Sequence, residues 1–346
     1  MTLIKGPFDS AIEEGQRCLK ASPVVVLGSG ASVPYGLPSM TALAEHLKVS
    51  IRANDLTPSE QALWAQFSAL LDTKDLESAL HALTLNEKIS DQIAEKTWEL
   101  INAADAAVLS KLLEDENHLP LTRLYRHLFN STNRTISVVT TNYDRLAEYA
   151  ADLAGFHHNT GFSYGYLRHR QAGPRLSLRQ ETQTVRTVDI WKVHGCLDWF
   201  TNQQDQVVAL TSAHSIPAHR RPAIVTPGIA KYARTHLEPF RSIIAGADSA
   251  LERATAYLCI GFGFNDLHIQ PKLLERWKRG DAALVILTKT LTDSAKKMLN
   301  GAKEQRYLAF EESGSGTNMW SHFQPTGVHL DGVHLWKLSN FLDVTT

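Results

Sequence analysis

The stretch VVVLGSGASVPYGLPSM, residues Val24–Met40, changes abruptly from four apolar residues to a turn at Gly28, Ser29 and Gly30. An apolar run bounded by turn residues is typical of a strand that is buried on both faces. Glycines directly after such a strand permit positive φ angles and a close approach of the backbone to a phosphate. Similar turns also close many strands that bind no ligand, and the stretch contains neither a complete G-x-G-x-x-G nor a Walker A lysine. Two interpretations stay open from this stretch alone, a plain turn and a phosphate-binding turn.

The composition is that of an ordinary globular protein. Of 346 residues, 43% are hydrophobic, and 35 Lys and Arg nearly balance 36 Asp and Glu. Because the chain has no net positive field, binding to nucleic acid is not expected from this chain alone. The amino-terminal residues lack the apolar core of a signal peptide, and the longest apolar runs are too short to span a membrane. We therefore expect a cytoplasmic protein that does not contact a membrane.

The cysteines are few and dispersed. Cys18, Cys196 and Cys259 form no C-x-x-C pair. An odd number of isolated cysteines argues against a disulfide framework, and the lack of paired cysteines argues against structural zinc. We expect neither disulfides nor a metal site.

Short apolar runs alternate with helix-forming segments along most of the chain. Amphipathic helices are predicted at Phe8–Leu19, before the first run, and at Asp266–Arg279, between the last two. This alternation predicts an α/β fold with a doubly wound, mostly parallel, Rossmann-like sheet. Leu197–Leu210 is predicted as a hairpin, and the Ser- and Gly-rich Glu311–Met319 as a flexible loop. The predicted strands are Pro23–Leu27, Thr135–Thr140, Ile190–Val193, Ala223–Thr226, Thr255–Ile260 and Ala283–Leu287.

Residues 51–130 differ in character from the rest of the chain. Thr57, Pro58 and Glu60 form the pattern of a capping box with proline in the first turn. Apolar residues then recur every three or four positions to the end of the segment. We predict a helical insertion at 51–130 within a Rossmann-like domain formed by residues 1–50 and 131–346. The insertion is either a contact surface for a partner or a plain packing subdomain.

Polar residues follow several of the predicted strands, at the edge where α/β sheets bind ligands. Asn142 and Asp144 follow the strand Thr135–Thr140. Asp144 is suited to cap the next helix, and Asn142 is an ordinary turn residue. An Asn amide also donates and accepts hydrogen bonds at once, so Asn142 can orient a ribose hydroxyl or a water.

A histidine and a second glycine turn follow two further strands. His194 lies between a predicted strand and Gly195, where an imidazole can face an open cleft and accept a proton near neutral pH. Isolated histidines are nevertheless more often structural than catalytic. Gly261 and Gly263 expose the backbone after another strand, and Asn265 or Asp266 can cap the helix that comes next.

The motifs at these strand ends occur in the same order as in a known family. They resemble the motif series of the sirtuins, which are NAD-dependent enzymes, and look most like a bacterial branch of sirtuin-like NAD hydrolases found in antiphage defence. The similar region runs from Pro23 to Leu287 and is interrupted by the helical segment. The motifs are GSGAS (Gly28–Ser32) with GLPS (Gly36–Ser39), TTNYD (Thr140–Asp144), VHG (Val193–Gly195), PAIVTP (Pro222–Pro227) and GFGFND (Gly261–Asp266).

The resemblance implies roles for individual residues. Asn142 would bind the nicotinamide ribose, Asp144 would be its companion carboxylate, and His194 would be the general base. Two positions depart from the family: Phe262 and Gly263 replace the Thr-Ser pair of a Gly-Thr-Ser turn, and Thr288 replaces an adenosine-ribose Asn. The residues that the resemblance assigns to NAD binding are Gly28, Ser29, Gly30, Ala31, Ser32, Pro38, Ser39, Thr141, Gly261, Phe262, Gly263, Asp266 and Thr288.

One departure bears on the reaction. Sirtuin deacylases carry a zinc ribbon with four cysteines after the His-Gly motif, whereas Trp199–Arg221 contains no cysteine. The resemblance then implies an NAD glycohydrolase, in which water rather than an acyl oxygen captures the ribosyl cation and nicotinamide and ADP-ribose are released. NAD would be the substrate, and no metal would be needed. Control of the hydrolysis is expected to come from assembly into a homo-oligomer or from a separately encoded ATPase of the HerA type.

Three other functions fit the sequence less well than hydrolysis does. A module that only senses NAD or ADP-ribose would keep the pocket but would not need His194. A protein deacylase is disfavoured by the missing cysteines, and a nuclease would need clustered carboxylates for a metal, which the sequence lacks.

Overall fold

The computed structural model describes residues 6–171, 177–211, 213–226, 237–266, 269–302 and 304–346. Pro227 of the PAIVTP motif, and Leu267 and His268 of a predicted helix, lie outside these ranges. The strands are β1 (Val24–Leu27), β2 (Thr135–Thr140), β3 (His157–Asn159), β4 (Leu167–His169), β5 (Arg179–Gln180), β6 (Gln183–Thr184), β7 (Thr187–Lys192), β8 (Gly195–Thr201), β9 (Val207–Leu210), β10 (Arg221–Ile224), β11 (Ala256–Ile260), β12 (Ala283–Thr288), β13 (Tyr307–Ser313), β14 (Gly316–Ser321) and β15 (Gln324–Asp331).

Helices cover both faces of the main sheet. Short 3₁₀ turns at Ser29–Ala31 and Val33–Tyr35 follow β1. The α-helices are α1 (Pro7–Lys20), α2 (Met40–Ser50), α3 (Pro58–Leu71), α4 (Leu76–Ala82), α5 (Glu87–Glu114), α6 (Pro120–Leu128), α7 (Leu146–Leu153), α8 (Phe240–Arg253), α9 (Gln270–Lys278), α10 (Asp293–Asn300) and α11 (Leu338–Thr345).

Within the described residues the main sheet has nine strands, in the order β15-β14-β13-β12-β11-β1-β2-β7-β3. The strands from β3 to β13 in this order are parallel, and β14 and β15 are antiparallel additions at one edge. β1 pairs with β2 on one side and with β11 on the other. The chain therefore leaves β1 toward one edge of the sheet and later returns to fill the other. The predicted doubly wound, mostly parallel α/β fold is confirmed.

The sequence of β1 explains why it lies at the centre. All four of its residues are buried. Successive side chains of a strand point to opposite faces, so Val25 and Leu27 pack with α1, α6 and α7 while Val24 and Val26 pack with α8, α9 and α10. A strand that is covered on both faces needs a continuous apolar run, which VVVL supplies.

The helical segment packs in two different ways. Its first part, α3, α4 and the start of α5, forms an apolar cluster with α2 around Trp64 and Phe67. Its second part, from Val108 in α5 to Phe129 after α6, packs into the core beneath the sheet. The Nε1 of Trp98 in α5 also donates a 2.7 Å hydrogen bond to the carbonyl of Leu197 in β8. The segment thus packs against the main sheet and also bonds to β8, which belongs to a second, smaller sheet.

Hydrogen bonds show one further helix cap and confirm two local predictions, the capping box and the hairpin. The Ser39 hydroxyl accepts the Ala42 amide at 3.2 Å and caps α2. Thr57 and Glu60 form both bonds of the capping box at the start of α3. The predicted hairpin is formed by β8 and β9.

Two predictions are wrong. Glu311–Met319 is not a flexible loop, because Ser313 pairs with Gly316 across a two-residue turn and β13 and β14 form a regular antiparallel pair. Gly314, with φ +52°, supplies the left-handed conformation that such a turn requires. The run Ala223–Thr226 does not join the parallel sheet either, since β10 pairs antiparallel with β8 in a second sheet of order β10-β8-β9-β4.

Candidate active site

A cavity of about 440 Å³ opens at the carboxyl edge of the main sheet, beyond the ends of β1, β2, β11 and β12. The strand order reverses at β1, and α/β sheets bind ligands at such reversals. Many of the residues predicted for the site line this cavity. They are Gly28, Ser29, Gly30, Ser32, Pro38, Thr141, Asn142, Asp144, His194, Gly261, Phe262, Gly263, Asp266 and Thr288.

Two predicted residues are placed beside the lining instead of in it. Ala31 packs against the apolar core beneath the sheet. Ser39 uses its hydroxyl to cap α2.

The two glycine turns lie against each other at the floor of the cavity. A Cβ on Gly28 would lie 2.4 Å from the Gly261 carbonyl oxygen, and one on Gly30 would lie 2.9 Å from the Gly261 Cα. Gly261 itself has φ +56°. The expected positive φ is absent at Gly28, where φ is −105°. Glycine is needed in the first turn for the close approach of the two backbones.

Three backbone amides of the first turn already have partners within the protein. Gly28 donates to Ile260, Gly30 donates to Gly261, and Ala31 donates to Gly28, each at 3.0–3.1 Å. Amides that are bonded in this way offer little to a diphosphate. Ligand contact at Gly28 and Gly30 therefore depends on how closely the bare backbone can be approached.

Three polar side chains from two loops form one hydrogen-bonded cluster. The Asn142 Nδ2 donates to the Gly28 carbonyl at 2.9 Å and to the Ser32 Oγ at 3.0 Å. The Ser32 Oγ in turn donates to the Asp144 Oδ2 at 2.7 Å. The Asp144 Oδ1 accepts the Leu146 amide at 3.2 Å, so the carboxylate also supports the start of α7. The side chain of Asn142 is thereby held against the glycine turn.

A buried ion pair lies directly behind this cluster. The Lys192 Nζ is 3.1 Å from the Glu148 Oε1 and also donates to the Asp144 carbonyl. Burial alone would lower the Lys192 pKa, but electrostatic interactions with Cys196, Glu148 and Asp144 raise it overall. Burial raises the Asp144 pKa, while Lys192 and the Ser32 hydrogen bond oppose that rise.

His194 is fixed by its backbone and by one carboxylate. Its carbonyl accepts the Val225 amide at 2.8 Å, and the next residue, Gly195, has φ +94° and no room for a Cβ beside the Ala223 carbonyl. The imidazole Nε2 lies 3.0 Å from the Asp266 Oδ2, and both side chains are buried. The sequence suggested both residues but gave no indication that they form a pair.

The far end of the cavity is formed by backbone and hydroxyl groups. The Phe262 side chain packs with Phe264 in the core, so Phe262 lines the cavity mainly through its backbone. The Thr292 Oγ1 donates to the Gly263 carbonyl at 2.5 Å. The Thr288 hydroxyl donates to the Thr290 carbonyl at 3.0 Å.

One wall of the cavity comes from the helical segment and was not predicted. It contains mostly apolar side chains and faces the polar cluster of the strand ends. Periodicity in the sequence shows that such residues are buried, but not that they are buried against a cavity. The members of this wall are Leu76, Glu77, Leu80, Ile93, Thr97 and Ile101.

Charged residues anchor this wall to the sheet. Arg145, next to Asp144, donates through its backbone amide and its Nε to the fully buried Asp105 of α5, at 2.7 and 2.8 Å. Its other guanidinium nitrogens reach Asp198 of β8 and Asn102 of α5 at 3.0 Å. Arg168 of β4 completes the network with a 2.6 Å bond to Asp198. The helical segment, the loop after β2 and the smaller sheet therefore meet at one buried set of charges.

The described part of the chain was searched for metal-binding clusters, membrane-spanning helices and reactive cysteines. No group of three or more His, Cys, Asp or Glu side chains there is arranged to hold a metal ion. None of the helices there combines the length and apolarity needed to cross a membrane. Cys18, Cys196 and Cys259 are buried thiols, and burial raises the pKa of Cys18 to about 12.

Comparison with known proteins found one family model and several similar solved structures. A family model described as a SIR2-like domain matches residues 136–308, half of the chain. A structure from work on the mechanism and regulation of Sir2 enzymes is 16% identical, with a TM-score of 0.43 over 84% of this chain and 90% of that chain. A Sir2 homologue in complex with NAD is 14% identical, with a TM-score of 0.42 over 82% of this chain and 84% of that chain. Curated proteins gave no match. The chain belongs to the SIR2-like domain family, whose fold is typical of NAD-using enzymes.

Proposed function

We propose that the protein is an NAD glycohydrolase, which cleaves NAD with water to nicotinamide and ADP-ribose. One observation carries the proposal. Asn142 and His194, which are far apart in sequence, line the same cavity beside the glycine turn at Gly28 and Gly30. An orienting amide and a proton acceptor in one cleft are the groups that hydrolysis of a glycosidic bond needs.

The cavity is compatible with a dinucleotide substrate. Its volume of about 440 Å³ lies within the range of about 300–1,000 Å³ that is usual for ligand pockets. The glycine turns leave the backbone bare where a Cβ would fill the floor. Polar groups lie on the side of the strand ends, and apolar groups lie on the helical side.

Asn142 is assigned to orient the ribose or the attacking water. Its amide nitrogen is held by the Gly28 carbonyl and the Ser32 hydroxyl, which fixes the direction of the amide oxygen. That oxygen is the acceptor for a ribose hydroxyl or a water proton. Asp144 acts through Ser32, since its carboxylate holds the hydroxyl that holds Asn142.

His194 is assigned as the general base. In the reaction, the bond between the ribose C1′ and the nicotinamide nitrogen breaks, and its electron pair leaves with nicotinamide. The water oxygen forms a new bond to C1′, and the proton that it loses passes to the His194 imidazole. The apolar wall from α4 and α5 limits the access of other water to the reacting carbon.

Two features favour water over an acylated lysine as the acceptor. Trp199–Arg221 contains no cysteine, so the four-cysteine zinc ribbon that sirtuin deacylases carry there has no ligands. The strands β8, β9 and β10 instead form a small antiparallel sheet in this part of the chain. Both features support hydrolysis as the reaction.

The wider role also belongs to this proposal. We assign the chain as a cytoplasmic effector of antiphage defence that depletes NAD when activated, on the basis of the resemblance of its motifs to that sirtuin-like branch. The expected partners are further copies of the chain and a separately encoded HerA-type ATPase. Residues 51–130 are the surface assigned to such contacts.

The test is release of nicotinamide from NAD, measured by chromatography with and without the candidate ATPase. Wild type is expected to release nicotinamide, and His194→Ala and Asn142→Ala are expected to lose at least about 100-fold in rate. His158→Ala, which alters a histidine outside the cavity, is the matched control. Binding of NAD without release under every condition would instead favour a sensor, and NAD-dependent consumption of an acyl-lysine peptide would favour a deacylase.

A further inference from the structure

We infer that Asp266 is a positioning residue that sets the tautomer of His194 and thereby makes Nδ1 its basic atom. The inference rests on the proposed hydrolysis of NAD and deepens it. Its starting point is the distance of 3.0 Å between the His194 Nε2 and the Asp266 Oδ2. Both residues are buried, and their side chains are 10% and 8% exposed.

The Asp266 carboxylate is held from its other side as well. Its Oδ1 accepts the Ile269 amide at 3.0 Å, and its carbonyl accepts the Gln270 amide at 3.1 Å. The two oxygens therefore have separate tasks. Oδ1 supports the start of α9, and Oδ2 faces the imidazole.

This division of tasks has a chemical consequence. A carboxylate only accepts hydrogen bonds, so it favours the imidazole tautomer that carries its proton on Nε2. The lone pair is then on Nδ1, which is the atom able to take a proton from water. When Nδ1 has taken that proton, the nearby carboxylate also stabilises the imidazolium. Asp266 does this without contact with the reacting atoms.

Two simpler roles for Asp266 predict different behaviour. If it only caps α9, any residue with a good capping side chain should replace it. If it binds NAD directly, as the sequence resemblance implied, its loss should raise KM more than it lowers kcat. A positioning role instead predicts a loss in kcat with little change in KM.

The Asp266→Asn variant separates the two roles because the Oδ1 of Asp266 already accepts the Ile269 amide. In Asp266→Asn the amide oxygen is required by the Ile269 amide, so the amide NH₂ group is turned toward His194. An NH₂ group donates, so it forces Nε2 to accept and places the imidazole proton on Nδ1. The cap is kept, and the tautomer is reversed. Asp266→Ser also keeps a capping hydroxyl but is too short to reach the imidazole.

The experiment compares Asp266→Asn and Asp266→Ser with wild type and with Asp152→Asn. The last variant removes a carboxylate from a second His–Asp pair outside the cavity, in which the His158 Nδ1 lies 2.9 Å from the Asp152 Oδ1. Steady-state nicotinamide release is expected to show kcat lowered about 100-fold in both Asp266 variants, with KM within about threefold. Asp152→Asn is expected to match wild type. Unchanged kcat in Asp266→Asn, or a change in KM alone, would overturn the inference.

A second readout does not depend on activity. Imidazole ¹⁵N chemical shifts, with the His194 signals assigned by their loss in His194→Gln, report which ring nitrogen carries the proton. We expect the Nε2–H tautomer in wild type and a shift toward Nδ1–H in Asp266→Asn. The same tautomer in both proteins would refute the inference even if both are active. Absence of nicotinamide release from wild type would refute the proposed hydrolysis, while the tautomer measurement would still decide the pairing.

Discussion

The Ser32 hydroxyl and the Asp144 carboxylate, which are 112 positions apart, form a buried hydrogen bond of 2.7 Å at the edge of the cavity. The same hydroxyl accepts a bond from the Asn142 amide at 3.0 Å. One small side chain in the first glycine turn therefore connects the loop after β1 with the loop after β2. The orientation of Asn142 depends on a residue that has no chemical role of its own.

Removal of this hydroxyl is expected to impair both activity and stability. In Ser32→Ala the Asp144 carboxylate loses a donor while it stays buried, which costs about 1–3 kcal/mol of unfolding free energy. Because the Ser32 bond opposes the rise in the Asp144 pKa, its loss raises that pKa further. The acid limb of the activity profile should move to higher pH, and kcat should fall about tenfold. Ser110→Ala, which removes an exposed hydroxyl on α5, is the control, and equal activity profiles in both variants would contradict the prediction.

Arg145 is expected to be among the most sensitive positions for folding. Arg145→Ala leaves Asp105, which is 0% exposed, without its cation. Loss of one partner from a buried pair costs about 3–5 kcal/mol. Arg123→Ala breaks an exposed pair with Asp343 and should cost less than about 1 kcal/mol. Urea denaturation of both variants tests this, and similar midpoints would show that the buried network contributes little.

Gly261 and Gly280 offer a matched comparison of two glycines with positive φ. Both have left-handed backbones, with φ of +56° and +78°. A Cβ at Gly261 would lie 2.2 Å from the Ala31 nitrogen, whereas a Cβ at Gly280 meets nothing within 4 Å. Gly280→Ala should cost about 1–2 kcal/mol of backbone strain. Gly261→Ala should cost more and should also abolish NAD binding in calorimetry, and equal stability of the two variants would argue against contact between the turns.

The pair His158 and Asp152 should make stability depend on pH in a defined direction. Burial would lower the His158 pKa, but the Asp152 hydrogen bond and charge raise it above 6.5 overall. A histidine with a raised pKa in the folded state stabilises the protein below its unfolded pKa, and this contribution is lost as pH rises through the folded value. Wild type should therefore exceed Asp152→Asn in stability by at most about 1 kcal/mol at about pH 5.5, with the difference smaller at about pH 8.5. Urea titrations at the two pH values measure it, and a larger difference at the higher pH would reverse the assignment.

The sequence predicts most of the central sheet because its strands carry strong local signals. β1 and β2 are apolar runs bounded by turn residues, and their bounds agree with the prediction to within one residue. Asn142 and His194 could be singled out because each follows a strand, and parallel strands end at the same edge of a sheet. This prediction needs only the positions of these residues relative to the strands along the chain.

Other features depend on distances that no local pattern encodes. Lys192 is the buried, charged last residue of β7, and only the structure shows Glu148 beside it. The sequence indicates a helix cap or an NAD contact for Asp266, and neither interpretation contains the imidazole on its other side. The hairpin at Gly314 was missed because Ser and Gly are common in loops as well as in tight turns.

The apolar wall of the cavity belongs to residues 76–101, whereas the groups assigned to bond cleavage follow the strands of the sheet. Under the proposed function, the residues that select the substrate and the residues that act on it are thus encoded in separate stretches of sequence. Substitutions in α4 and α5 can therefore change the first without altering the second. Relatives that differ mainly in this helical stretch should share one reaction and differ in the molecules that they admit.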